Sequence, residues 1–313
     1  MDVADDLTNQ IGALADKFAS VDPRLLVLAA LLHVSNHVLR SAAWRNVLVA
    51  AYPNRRISLT GVTAAYASGV ALNALVPARG GDAAKIGLAR AEIRGSTLTT
   101  IGATITVLLP FDLLAAAATL LLVGLTGQAP LSFDLDHAVT TTWLGGHLLV
   151  SVGLAVAGAV GVVLVVRYLR PRVREVWGRI RQGGAIFRTP RRYFLGVATP
   201  QAVAWICRIG VVMCLLAAFG LPTSPAIAAL VMVVAGMSTF VPLTPGGAGT
   251  QQVLLAYALS EAASSAAVVS FSIGMQAGVT AVNALLGLSA AMIACRSLRA
   301  ISVIRHRLSV ADA

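Results

Sequence analysis

Charge is scarce in this chain: Asp, Glu, Lys and Arg together make up 12% of its 313 residues, against roughly 25% in a soluble domain. Aromatic residues are also few, at 5%, and there are three cysteines. The low charge excludes an ordinary water-soluble protein. Cys207, Cys214 and Cys295 lie inside apolar blocks, at spacings that match neither a disulfide framework nor a zinc site. The first twenty residues lack a basic n-region and carry Asp2, Asp5, Asp6 and Asp16, so no cleavable signal peptide is expected.

What the chain does have is apolar sequence in long blocks. Hydrophobic residues reach 57% and mean hydropathy is +0.81. The blocks are too long for the alternating strands of a membrane barrel, and the reading is an all-α polytopic membrane protein. A spanning helix needs about twenty apolar residues. Five blocks meet that length, at about 25–50, 97–125, 141–167, 193–219 and 264–295.

Two further segments, 58–92 and 226–262, are apolar but broken by Pro/Gly clusters at residues 77–81 and 242–249. Proline removes a backbone donor, and interrupted backbone at membrane depth survives only where protein or a wet cavity covers it. Each segment is therefore expected to be a re-entrant helical hairpin. Charge bias alone also allows two short full spans in each place.

Arginine orients the expected topology. Residues 167–192 hold nine arginines against the single Glu175, and Arg296, Arg299, Arg305 and Arg307 follow the last block; both regions should be cytoplasmic. The order span, hairpin, span then occurs twice with opposite orientation, an inverted repeat whose site is expected where the two breaks meet. Residues 1–22 read as an interfacial amphipathic segment, 23–295 as one transmembrane domain and 296–313 as a cytoplasmic tail. The basic 167–192 loop, with Val173, Val176, Trp177 and Ile180 interleaved, should lie on anionic headgroups. Positive-inside bias accounts for the net charge of +11, and nucleic acid is not an expected partner.

The first break places Asn73, Arg79, Gly80, Gly81, Asp82 and Lys85 around a glycine turn before a short helix. Helix-start N–H groups and two cations suit a lipid phosphate; a structural turn with snorkelling charges is the competing reading. It is not a Walker A loop. The second break, with Pro242, Pro245, Gly246, Gly247, Gly249, Thr250 and Gln251, carries no charge and is expected to be a neutral cavity wall, or a plain kink.

Asp112 and Arg208 each stand inside a long apolar block, where an ionised side chain costs about 2.5–3.5 kcal/mol. They should pair with each other or line the cavity; the alternative is a protonated Asp112. His33, His37 and Arg40 share a helix face with Asn36 and Trp44. With no third ligand at suitable spacing, metal is not expected; interhelical hydrogen bonding is the expected role, and proton relay ranks between the two. No cofactor and no catalytic constellation is expected.

Asn73, Pro77, Arg79, Gly80, Gly81 and Asp82, followed by Pro242, Pro245, Gly246, Gly247 and Gly249, resemble the two motifs of the lysylphosphatidylglycerol synthase transmembrane family, also called flippase-like. Arg40, Trp44 and Arg45 resemble the basic end of the preceding span. The resemblance covers most of residues 25–295, with departures at Leu108 and Leu109, at Arg208 and at Gln276. It implies a bacterial inner-membrane protein of lipid handling, with a phospholipid or polyprenyl phosphate as partner and a homo-oligomer possible. With no room for the fused aminoacyltransferase domain of its relatives, the chain is not expected to be a synthase or other enzyme. A lipid-presenting accessory subunit and a small-solute transporter remain alternatives.

Overall fold

The computed structural model describes residues 21–75, 80–125, 170–238, 249–260 and 262–311. Among these residues all regular structure is helical. Helix α1 (Pro23–Ala51) starts on the Asp22 cap, whose carboxylate accepts the Arg24 backbone N–H at 2.8 Å. Helices α2 (Leu59–Leu75) and α3 (Gly80–Glu92) form the first hairpin, and α4 (Leu98–Thr106) and α5 (Leu109–Leu125) form the next crossing. The basic segment gives α6 (Arg170–Gly183). Then come α7 (Pro190–Ala218), α8 (Pro225–Ser238), α9 (Thr250–Ala258) and α10 (Ser265–Ala311).

Four stretches are long and apolar enough to cross a membrane: Pro23–Ala51, Leu98–Leu125, Pro190–Ala218 and Ala266–Ala290. They correspond to four of the five expected spans. The fifth, 141–167, lies outside the described residues, as do the N-terminal segment 1–20, the turn carrying Pro77 and Arg79, and Pro242, Pro245, Gly246 and Gly247. Residues 296–311, expected as a tail, continue α10 as helix.

Two of the expected spans are interrupted. The crossing at 98–125 turns at Val107 and Leu108, just ahead of Pro110, whose ring and missing N–H prevent continuous α-helix. Asp112 thus lies in the first turn of α5 and not in mid-helix. In α7, Phe194–Ala198 forms a π turn. Pro200 cannot donate to the Gly196 carbonyl one turn earlier. Asn46 of α1 supplies the bond instead, its Nδ2 donating to Gly196 O at 2.8 Å. Ten residues away, Asn36 Nδ2 donates to Ala204 O, also at 2.8 Å.

These two bonds run in opposite residue order on α1 and α7, which fixes the two helices as antiparallel neighbours. They are the first elements of the two repeats, so their opposed direction is that of an inverted repeat. Packing repeats as well: α10 lies against hairpin helix α2, while α5, its counterpart, lies against hairpin helix α8. Two apolar cores result. One gathers Val211, Leu216, Val231, Leu255 and Phe271 around the start of α1. The other gathers Trp44, Leu48, Val62 and Ile101 around its end. Between Ala29 of the first core and Ala43 of the second, α1 presents His33, His37 and Arg40.

The first hairpin closes through glycine. A Cβ on Gly81 would collide with the Gly69 carbonyl oxygen, and one on Gly69 would stand 2.7 Å from Lys85 Cβ. The two backbones are therefore in direct contact, an approach only hydrogen side chains permit.

Candidate functional site

The helices bring a belt of polar groups into the gap between the two cores. Arg40 and Asp112 form a two-pronged ion pair: Nη1 to Oδ1 at 3.0 Å and Nη2 to Oδ2 at 2.7 Å. The parallel geometry is the strong form of a guanidinium–carboxylate contact. Arg40 Nε also donates to the Tyr66 hydroxyl at 3.0 Å, and Gln201 Nε2 reaches Asp112 Oδ1 at 3.4 Å. This corrects the expected pairing of Asp112 with Arg208. Residue types inside two blocks did not reveal that α1 presents a nearer arginine.

Lys85 lies on the hairpin side of the belt, 4.9 Å from the Tyr66 ring centre and 5.7 Å from that of Trp44. Asp82 holds it at 3.3 Å. Asn73 accepts the Gly81 backbone N–H at 2.9 Å through Oδ1, and its Nδ2 faces Asp82 Oδ1 at 3.4 Å. Asn73, Gly81, Asp82 and Lys85 are thus brought together as the motif required, but Lys85 is already paired and stacked. Trp44 itself is buried, its Nε1 donating to Thr104 Oγ1 at 2.9 Å.

Toward the other core, three atoms converge. His33 Nε2 is 2.9 Å from Asn283 Oδ1, His37 Nε2 is 3.1 Å from the same oxygen, and the two nitrogens are 3.0 Å apart. The expected interhelical hydrogen bonding is present, between α1 and α10. Asn283 was not legible as the partner, since one asparagine 246 residues from His37 has no spacing signal.

Arg208 of α7 has its guanidinium 5.5 Å from the Trp205 ring centre, with neither hydrogen bond nor ion pair among the described residues. Protein surrounds it closely, and it lies within electrostatic reach of Arg40, Asp112, His33 and His37. The residue is nonetheless exposed at the surface of the folded chain. Three cations, Arg40, Lys85 and Arg208, thus meet two carboxylates, Asp82 and Asp112. The surplus positive charge resides on Arg208.

On the second hairpin, Gly249 takes φ +87° at the head of α9, and its N–H donates to Gln252 Oε1 at 2.6 Å. Gln252 Nε2 donates in turn to Gln276 Oε1 at 2.6 Å. Gln251 is buried and Thr250 is half-buried. Gln252 and Gln276 therefore tie this hairpin to α10, a role that belongs to the neighbour of Gln251. An apolar cleft of about 370 Å³ lies between α1, α7 and α10, with His33 at its polar end beside Leu26, Leu215, Phe219 and Val282.

Comparison with known proteins adds one match. The family described as "Lysylphosphatidylglycerol synthase TM region" matches residues 7–287. No curated protein and no solved structure matches the chain. The match spans both hairpins and every helix of the belt, and the chain belongs to the lysylphosphatidylglycerol synthase transmembrane-region family.

Proposed function

We propose that this protein moves a phosphate-bearing lipid between the leaflets of a bacterial inner membrane, without making or breaking covalent bonds. The observation that carries the reading is the belt's unmatched cation, Arg208. A lipid headgroup crossing hydrocarbon loses its hydrogen bonds to water; a recess offering a guanidinium and interrupted helix ends replaces them. The phosphate sits on Arg208, and an acyl or polyprenyl chain lies in the apolar cleft beside His33. Arg40 and Asp112 neutralise each other and hold α1 against α5, so they position the recess and do not bind the anion. The hairpins enter from opposite leaflets as re-entrant segments. Arg79 on the first turn receives the phosphate at the cytoplasmic side, where the basic 167–192 segment and the C-terminus also lie.

Reconstitution in liposomes with a labelled phospholipid tests this. Wild-type protein should accelerate exchange between leaflets, and Arg208→Gln should slow it about ten- to a hundredfold, the worth of a charge-assisted hydrogen bond. Unchanged exchange with folded wild-type protein refutes translocation, and full activity of Arg208→Gln removes the anion site.

A further inference from the structure

Three atoms in the histidine cluster contact one another, but they carry too few hydrogens for their lone pairs. Each imidazole Nε2 holds at most one proton and Asn283 Oδ1 holds none. Three contacts of 2.9, 3.0 and 3.1 Å therefore share at most two hydrogens. On its other side, His37 Nδ1 is buried with no partner. Such a cluster has places to put a further proton.

What opposes a positive charge there can be named helix by helix. On α1 stands Arg40, already matched by Asp112 of α5. On α2 stands Tyr66, whose hydroxyl is taken by Arg40 and whose ring centre is 5.9 Å from that of His37. Lys85 of α3 stands beyond Tyr66 and is paired with Asp82. On α10 stands Asn283, which is uncharged. That leaves Arg208 of α7, within electrostatic reach of both histidines, as the one unmatched cation of those just named around the cluster.

We propose that His33 and His37, held against Asn283, are a proton-loading site that fills when an anion occupies Arg208. The inference rests on the lipid-phosphate reading above and adds its coupling ion. An anion on Arg208 cancels the charge that repels a proton, and a proton on the histidines strengthens the field that holds the anion. The two affinities rise by the same factor, as linkage requires. A phosphate-bearing lipid then crosses together with a proton, and a pH gradient across the membrane can drive it.

A short-chain phosphatidylglycerol is the probe, because its phosphodiester keeps a single fixed charge near neutral pH and releases or takes up no proton itself. It is added to the purified full-length protein in weakly buffered detergent solution containing a pH-sensitive dye, and binding is measured in parallel. Wild type should take up close to one proton per probe bound. Its affinity should tighten from pH 8 to pH 6, by at most about tenfold per unit for a single coupled proton. The double variant His33→Gln, His37→Gln should bind with no uptake and with an affinity independent of pH. Should that variant fail to fold, Asn283→Asp decides: its added carboxylate holds the proton in advance, so binding continues while uptake falls by more than half. Binding by wild type without uptake, or undiminished uptake in both variants, overturns the coupling and leaves the lipid reading intact. Absence of binding by folded wild type overturns both.

Discussion

The Arg40–Asp112 pair makes the most demanding prediction about this fold. Its side chains are 18% and 24% exposed, so each charge is mostly out of solvent, and the two N–H···O contacts of 3.0 and 2.7 Å are what compensates them. Removing one partner strands the other charge. Asp112→Leu should therefore cost about 3–5 kcal/mol, the range for breaking a buried pair, and Arg40→Met should cost a similar amount. Removing both strands nothing. The double variant Arg40→Met, Asp112→Leu replaces the pair by apolar side chains of comparable bulk, a change that is often neutral or stabilising. It should fall within about 1–2 kcal/mol of wild type, the allowance covering the lost Arg40–Tyr66 bond.

The measurement is a double-mutant cycle by reversible unfolding in mixed micelles, with tryptophan fluorescence as the signal. Independent sites add within about 0.5 kcal/mol; the pair should instead show a coupling of about 3 kcal/mol or more, with the double variant more stable than either single one. A double variant whose loss equals the sum of the two single losses would refute the pairing. If Asp112 were protonated, Asp112→Asn would be nearly silent. For the ion pair described here, Asp112→Asn should lose about half or more of what Asp112→Leu loses, since the amide keeps one acceptor but no charge.

Gly81→Ala should destabilise the protein by about 1–3 kcal/mol in the same assay, as an overpacked contact does, because its new methyl meets the Gly69 carbonyl. Gly87→Ala on the same helix has open space around it and should be neutral or stabilise by up to about 1 kcal/mol. Asn46→Ala should cost about 1–3 kcal/mol, the penalty of leaving the Gly196 carbonyl unsatisfied. Restoring the N–H with Pro200→Ala in the Asn46→Ala background should recover part of it. Trp177 is 59% exposed on the basic helix α6. In a variant keeping Trp177 as its sole tryptophan, brominated anionic lipids should quench its emission strongly, whereas quenching no greater than that of free tryptophan would take α6 off the membrane surface.

The fold was legible where its cause is local. The hairpin bounds expected at 58–92, read from the limits of an apolar segment, agree with α2 and α3 to within one residue at the outer ends. Pro110 carried a backbone signal and still went unread, because the block around it is apolar throughout and hydropathy does not register a missing N–H. Pro200 carried a further signal: a proline inside a span orphans a carbonyl four residues earlier, which calls for a donor from a neighbouring helix. Searching for one would have led to asparagines on α1. Charge partners were less accessible. Asp112 needed a cation, but neither Arg40 nor Arg208 stands at a spacing that marks it as the partner, and helix rotation about the axis decides between them.

That choice has a consequence for mechanism. Had Asp112 paired with Arg208, the belt's surplus charge would fall on Arg40, which already donates to Tyr66 and is largely buried on the second core's side of α1; an anion there would have to displace an existing bond. With Asp112 on Arg40, the surplus falls on Arg208, exposed beside Trp205 and next to the histidines, where nothing has to be broken for a phosphate to bind. The inverted repeat makes this asymmetry possible. Its two halves contribute equivalent helices, α1 and α7, but the belt arginine of α1 is bonded to a carboxylate and that of α7 is not. A symmetric pair of satisfied arginines would be a structural clasp. One satisfied and one unsatisfied cation, set side by side between two apolar cores, give a framework that holds its shape and still has an electrostatic vacancy to offer a passing headgroup.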